Sequence, residues 1–179
     1  MKTIKQKVLC GADVIAQAGF DFYGKCGLIT NHTGVLRDLT STIDMLKEKC
    51  DLIALFAPEH GVRGDKQAAA EVSTYKDEKT GITVYSLYGK NALEGENALK
   101  ELDTVFFDIQ DVGARFYTYA STMTDAMAIC AKNGVKFVVL DRPNPLGGVC
   151  VEGAILDRKF SSLVGRFPTP TRCGLTIGE

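Results

Sequence analysis

Short, almost unbroken apolar runs dominate this sequence and limit what it can fold into. Asp51–Phe56 (DLIALF), Thr104–Ile109 (TVFFDI) and Val135–Leu140 (VKFVVL) are the strongest, with Lys25–Thr30 (KCGLIT) and Ile82–Leu87 (ITVYSL) of the same kind. A strand with one face in water alternates apolar and polar residues, whereas a strand covered on both faces does not. Between the runs lie segments with helical spacing. They are Asp38–Lys49, with Leu39, Ile43 and Leu46 on one face, then Asn91–Glu101, then Tyr117–Asn133 with Gly134 where a C-terminal cap is expected. Doubly covered strands alternating with helices predict an α/β chain: an open, doubly wound, mainly parallel sheet with helices on both faces.

At 179 residues the chain suits one domain, and a 45% share of hydrophobic residues supplies its core. After Asp141 the pattern breaks up. Pro143, Pro145, Gly147, Gly148, Pro168 and Pro170 make the last stretch loop-rich, expected to wrap the sheet edge or lead to another domain. A net charge of −1 without a basic block lacks the electrostatic footprint of a nucleic-acid binder. No apolar run approaches the ~20 residues needed to span a membrane. The first residues are basic without an apolar core, so they do not read as a signal peptide. A cytoplasmic protein is expected, or an exported one from which a signal has been removed. The six cysteines form no C-x-x-C pair, which argues against a zinc ribbon or redox motif and for buried free thiols.

In open parallel sheets ligands bind outside the carboxyl ends of the strands. There this sequence places Asn31 after the first strand and Glu59, His60 and Arg63 after the second. Tyr88 follows the third, Gln110, Asp111, Arg115 and Tyr117 the fourth, and Arg142 and Asn144 the fifth. Glu59 stands just past an apolar strand, where desolvation raises a carboxyl pKa as a general acid requires; capping or salt bridging is its alternative. Asp108 and Asp111 are candidates for the partner carboxylate of glycoside hydrolysis. Arg63, Arg115 and Arg142 can receive a ligand carboxylate, or else pair with Asp108, Asp111 or Asp141. Tyr88, Tyr117 and Tyr119 can stack on a sugar or simply pack. No phosphate-binding glycine motif and no G-x-S-x-G elbow occur, so no nucleotide cofactor and no serine nucleophile are expected. His32 or His60 with Asp108, Asp111 or Asp141 can in principle hold a metal, but nothing in the spacing requires one.

Read as strings, these loops resemble the NamZ-type exo-β-N-acetylmuramidases. The pieces are LITNHTGV (Leu28–Val35), LFAPEHGVRG (Leu55–Gly64), TGITVYSLYG (Thr80–Gly89), FDIQDVGARFYTY (Phe107–Tyr119), LDRPNPLGG (Leu140–Gly148), VEGAILD (Val151–Asp157) and the tail Phe160–Glu179. The resemblance implies that residues 1–179 form a Rossmann-like catalytic domain. It also implies a smaller auxiliary domain beyond this chain and an active site between the two. The implied activity is release of β-linked N-acetylmuramic acid from the non-reducing end of peptidoglycan fragments. The partner is then a peptidoglycan-derived sugar or muropeptide, not a nucleic acid or a membrane. The family's proposed catalytic glutamate falls in A-P-E-H-G, hence on Glu59. The lactyl carboxylate of muramic acid would occupy one arginine. One departure stands out: the family's tail reads P-x-R-H-G-M-T-x-G-E, and Cys173 takes the place of its His. A non-catalytic sugar-binding module and a metal-dependent hydrolase are the competing readings.

Overall fold

The computed structural model describes residues 8–18, 24–58, 61–63 and 74–179. In chain order the elements are α1 (Gly11–Gln17), β1 (Lys25–Thr30), α2 (Thr42–Lys49), β2 (Asp51–Ala57), β3 (Tyr75–Lys76) and β4 (Thr83–Ser86). They continue with α3 (Ala92–Lys100), β5 (Thr104–Asp108), α4 (Tyr119–Lys132) and β6 (Lys136–Val139). The strands form a six-stranded sheet in the order β3-β4-β2-β1-β5-β6. Every neighbouring pair is parallel except the short antiparallel β3–β4 edge.

The unbroken apolar runs are explained by two cores, one on each face of the sheet. Leu28, Leu55 and Phe106 point to one face, where they meet Ala12 of α1 and Ile43 and Leu46 of α2. Their chain neighbours Ile29, Phe56 and Phe107 point to the other, against Leu99 of α3 and Met123 and Cys130 of α4. The β1–β5 register sets Leu28 beside Phe106 and Ile29 beside Phe107, so each layer continues across strands. Burying one such side chain contributes about 1.5–3 kcal/mol. The expected doubly wound α/β architecture is therefore present, with helices on both faces.

The boundaries differ where backbone chemistry outweighs periodicity. The expected helix from Asp38 begins only at Thr42, with the Ser41 side chain accepting from Ile43 N. Leu39 has φ +68° and Asp38 Oδ1 accepts from Thr40 N, so a turn occupies the first residues. Leu39 is consequently exposed rather than on the apolar face. Helix α1 has no counterpart in the sequence reading. It is short, and its start is organised by Asp13, whose carboxylate accepts from Cys10 N at 3.1 Å. Of the cysteines expected to be buried, Cys26 and Cys130 are, while Cys150 is exposed. At the end of α4, Gly134 takes φ +70°, as a cap glycine does.

The chain runs from β1 outward through β2 to β4, then crosses to β5 and β6 on the other side of β1. The order therefore reverses between β1 and β5, and a crevice at such a switch point is where doubly wound sheets bind ligands. Packing on the β4 side is tight. A Cβ on Gly95 would lie 2.4 Å from the Ser86 carbonyl oxygen. Alanine is the better helix former by about 1 kcal/mol, but the clash is with backbone. Gly95→Ala is expected to destabilise by about 1–3 kcal/mol net, read as a lower urea midpoint; an unchanged or raised midpoint would show that α3 does not depend on this close seat.

Candidate active site

The loops at the carboxyl edge are fastened together before any ligand arrives. Thr30 Oγ1 donates to the Asp108 carbonyl at 2.7 Å, and Thr33 Oγ1 accepts from Gln110 N at 2.9 Å. These bonds bridge β1 and β5 at the switch point. Asn31 is buried and turns its Oδ1 to Thr33 N at 2.9 Å. Gln110 Nε2 donates to the carbonyls of Asp111 (2.7 Å) and Pro143 (3.0 Å). Asn144 Nδ2 donates to Leu175 O, while its Oδ1 accepts from Leu146 N. That amide lies 2.2 Å from where a Cβ on Gly113 would stand, and Gly113 has φ +76°, so glycine is required there twice over. Asn31, Gln110 and Asn144 thus shape the loops.

Asp108 is fully buried at the end of β5. Arg142 Nε and Nη2 donate to its two oxygens at 2.6 and 2.9 Å, Thr42 Oγ1 donates to Oδ2, and Arg142 Nη2 also reaches Val35 O at 2.8 Å. Asp108, a candidate catalytic carboxylate, and Arg142, a candidate ligand cation, are thus paired with one another, the alternative that the sequence left open for Arg142. Arg63 is likewise engaged, donating to Asp77 at 2.6 and 2.8 Å with Asp44 3.5 Å away. The Arg63 guanidinium holds the Asp77 carboxyl down to about 2. Tyr88 pairs its hydroxyl with Thr122 and lines a separate small cavity between α3 and α4. Glu59 and His60 lie outside the described residues. Among the described residues no group of three or more His, Cys, Asp or Glu side chains is placed to hold a metal ion.

What remains is a cavity of about 400 Å³ between the β5–α4 loop, the first turns of α4 and the tail. Asp111, Arg115 and Tyr117 line it from the loop, and Arg166, Cys173 and Glu179 from the tail. The tail has little regular structure, and isolated backbone bridges and side chains hold it in place. Arg115 Nη1 donates to the carbonyls of Ala154 (2.8 Å) and Thr169, and Ser121 Oγ to Leu163 O at 2.7 Å. Asp141, at the end of β6, accepts from Thr176 Oγ1 at 2.6 Å and Gly178 N at 3.0 Å. Tyr117 is 41% exposed, packs with Phe116 and Tyr119 outside the lining, and is an aromatic residue of the kind that sugars stack on. Burial pushes the Asp111 carboxyl above its ordinary value, although Gly113 N donates to Oδ2 at 2.8 Å. Of the expected site residues, Asp111, Arg115 and Tyr117 thus share one cavity. Arg166 and Glu179 were not singled out from sequence. Their one signal was that the tail belongs to the matching strings.

Two measurements follow from this arrangement. Asp108→Ala would leave Arg142 buried and unpaired, so a loss of about 3–5 kcal/mol is expected on urea unfolding; a loss near that of an exposed pair would show that the ion pair is not the anchor. For Asp111 the sign is opposite. Its folded-state pKa is raised, so the folded chain keeps the proton to higher pH than the unfolded chain. Stability then falls as pH rises through the interval between the two values. The stability gain of Asp111→Asn over the parent should grow across that interval, and a difference independent of pH would exclude the carboxyl as its source.

Comparison with known proteins places these features in one group. The family model described as "Exo-beta-N-acetylmuramidase NamZ, N-terminal" matches residues 26–179, which include every wall of the cavity. The "Peptidoglycan beta-N-acetylmuramidase NamZ" of Bacillus subtilis (strain 168) is 55% identical over 157 residues, covering 87% of this chain and 38% of that protein. Two crystal structures of DUF1343 family proteins from Bacteroides fragilis NCTC 9343 superpose with TM-scores of 0.85 and 0.75. They are 45% and 36% identical, covering 95% and 96% of this chain and 44% and 45% of theirs. The chain spans less than half the length of each of these relatives. With its family match running through β1, the switch point and the tail that closes the cavity, the chain belongs to the exo-β-N-acetylmuramidase NamZ family, as its N-terminal domain.

Proposed function

We propose that this chain carries the catalytic domain of a glycoside hydrolase that releases β-linked N-acetylmuramic acid from the non-reducing ends of peptidoglycan fragments. The observation that carries the reading is the 55% identity to a protein named for peptidoglycan β-N-acetylmuramidase activity. The cavity supports it. Its volume falls within the range of small-ligand sites, and its lining includes two aromatic residues, Tyr117 and Phe167, two arginines and two acidic residues.

Glycoside hydrolysis needs a proton donor to the leaving oxygen, and then a nucleophile or base on the other side of the sugar. Glu59 is the proposed donor. It follows the end of β2 by two residues, in the A-P-E-H-G string, so it belongs to the same carboxyl edge in sequence. Asp111 is the proposed second carboxylate, because it lines the cavity and burial raises its pKa above the ordinary value, which makes its carboxylate the stronger base. In this reading Asp108 contributes by holding the β5 end still. The rest of the longer relatives' chains would supply the auxiliary domain.

The test pairs this chain and its Glu59→Gln variant with a chromogenic β-N-acetylmuramide and the matching β-N-acetylglucosaminide. Release from the muramide alone is expected, reduced about a hundredfold or more in the variant. Equal release by the variant would remove Glu59 from the mechanism. Saturable binding without release would favour a sugar-binding module, the reading on whose side Cys173 stands in the cavity wall.

A further inference from the structure

We infer that Arg63 is a positioning residue for Glu59: its bidentate bond to Asp77 fixes the chain just after the proposed proton donor and so sets where that carboxyl stands. The inference rests on the reading of Glu59 as the donor and adds to it the group that holds it in place.

The chain is fixed on both sides of Glu59. Before it, Ala57 ends β2, is fully buried and accepts from Leu87 N at 3.2 Å, and Pro58 is buried as well. After it, Gly61 takes φ +76°, and Val62 is buried in the core on the α2 face with Leu46, Ile82 and Val84. Arg63 then donates through Nε and Nη2 to the two oxygens of Asp77. Only Glu59 and His60, outside the described residues, separate Pro58 from Gly61. A chain reaches about 3.3–3.6 Å per residue, so the ends of so short a link limit where its side chains can stand.

Asp77 is a firm anchor for this purpose. It is buried in the turn between β3 and β4, where its Oδ2 also accepts from Thr80 N at 3.0 Å and Thr80 Oγ1 at 2.6 Å. Its backbone N donates to Ile82 O at 2.9 Å, and its carbonyl accepts from Gly81 N at 2.7 Å. The turn is carried by β4, which pairs with β2, the strand that leads to Glu59. Arg63 thus closes a ring of contacts from β2 through the loop and the turn back to β2.

The charge of Arg63 is occupied as well as its geometry. Asp77 and, at 3.5 Å, Asp44 of α2 face the guanidinium, and Arg63 is not among the residues lining the large cavity. It is therefore not a ligand cation. Nor is stability its main contribution, because its side chain is 30% exposed and water weakens such a pair. Orientation is different: the planar fork fixes angle as well as distance, and a misplacement of about 1 Å can cost a reaction a hundredfold.

The experiment compares kcat/KM of this chain on a dinitrophenyl β-N-acetylmuramide and on the disaccharide of N-acetylmuramic acid with N-acetylglucosamine. Dinitrophenolate departs without a proton, whereas a sugar alkoxide needs one from the general acid. Arg63→Gln is expected to slow the disaccharide about ten- to a hundredfold and leave the dinitrophenyl muramide little changed. Arg63→Lys, which keeps the charge without the fork, should recover part of the loss. Asp77→Asn should show the same selective loss. Lys79→Gln removes only the exposed pair with Asp44 and should change neither substrate. A merely structural role lowers both substrates together through the amount of folded protein. Equal losses on the two, or none on the disaccharide, would overturn the assignment and leave the muramidase reading standing. A parent that cleaves neither substrate, or whose disaccharide turnover survives Glu59→Gln, would overturn the reading of Glu59 and this assignment with it.

Discussion

The buried pair of Asp108 and Arg142 is the constraint on which the carboxyl edge depends. It joins the last residue of β5 to the segment after β6, and its side bonds to Thr42 and Val35 bring in α2 and the loop after β1. Four parts of the chain meet there away from water. A pair of this kind is costly to desolvate, and replacing it with apolar residues is often neutral or stabilising in other proteins. Its value here is directional. Two hydrogen bonds in a plane fix the angle at which β5 and β6 release their loops, which an apolar contact would not do.

The adjacent phenylalanines of β5 explain why the fold was legible from sequence. Phe106 and Phe107 occupy opposite faces, and only a sheet covered on both sides accommodates such neighbours. The same reasoning found β1, β2, β4 and β6. It overextended α2, because the hydrophobic spacing of Leu39 matched a helix whose backbone was already diverted into a turn by Asp38. It passed over α1, which is shorter than the window in which periodicity speaks, and β3, which is two residues long.

The site was legible by position more than by role. The strand-end rule picked out Asp108, Asp111, Arg115 and Arg142 alike, yet only burial separates the pair that braces the edge from the pair that lines the cavity. No pattern in the sequence tells an arginine that lines a cavity from one that meets Asp108, since the chemistry offered is the same. Arg166 was hidden for another reason. It reaches the cavity through contacts such as Ser121 with Leu163, forty-two positions apart in the chain, and local periodicity carries no information at that distance.

The tail that forms one side of the cavity has a consequence of its own. It is held by polar contacts to Arg115, Ser121 and Asp141 and by isolated backbone bridges such as Ala114 with Arg172, rather than by a helix or a continuous sheet ladder. Segments secured in this way open locally at lower free energy than the core they lie on. A ligand filling the cavity touches both the rigid α4 wall and this weaker one, so binding and tail docking must be linked: whatever favours one favours the other by the same amount. Amide exchange in residues 161–179 is thus a direct gauge of occupancy, and a protease that cuts there reports how often the cavity has only one wall.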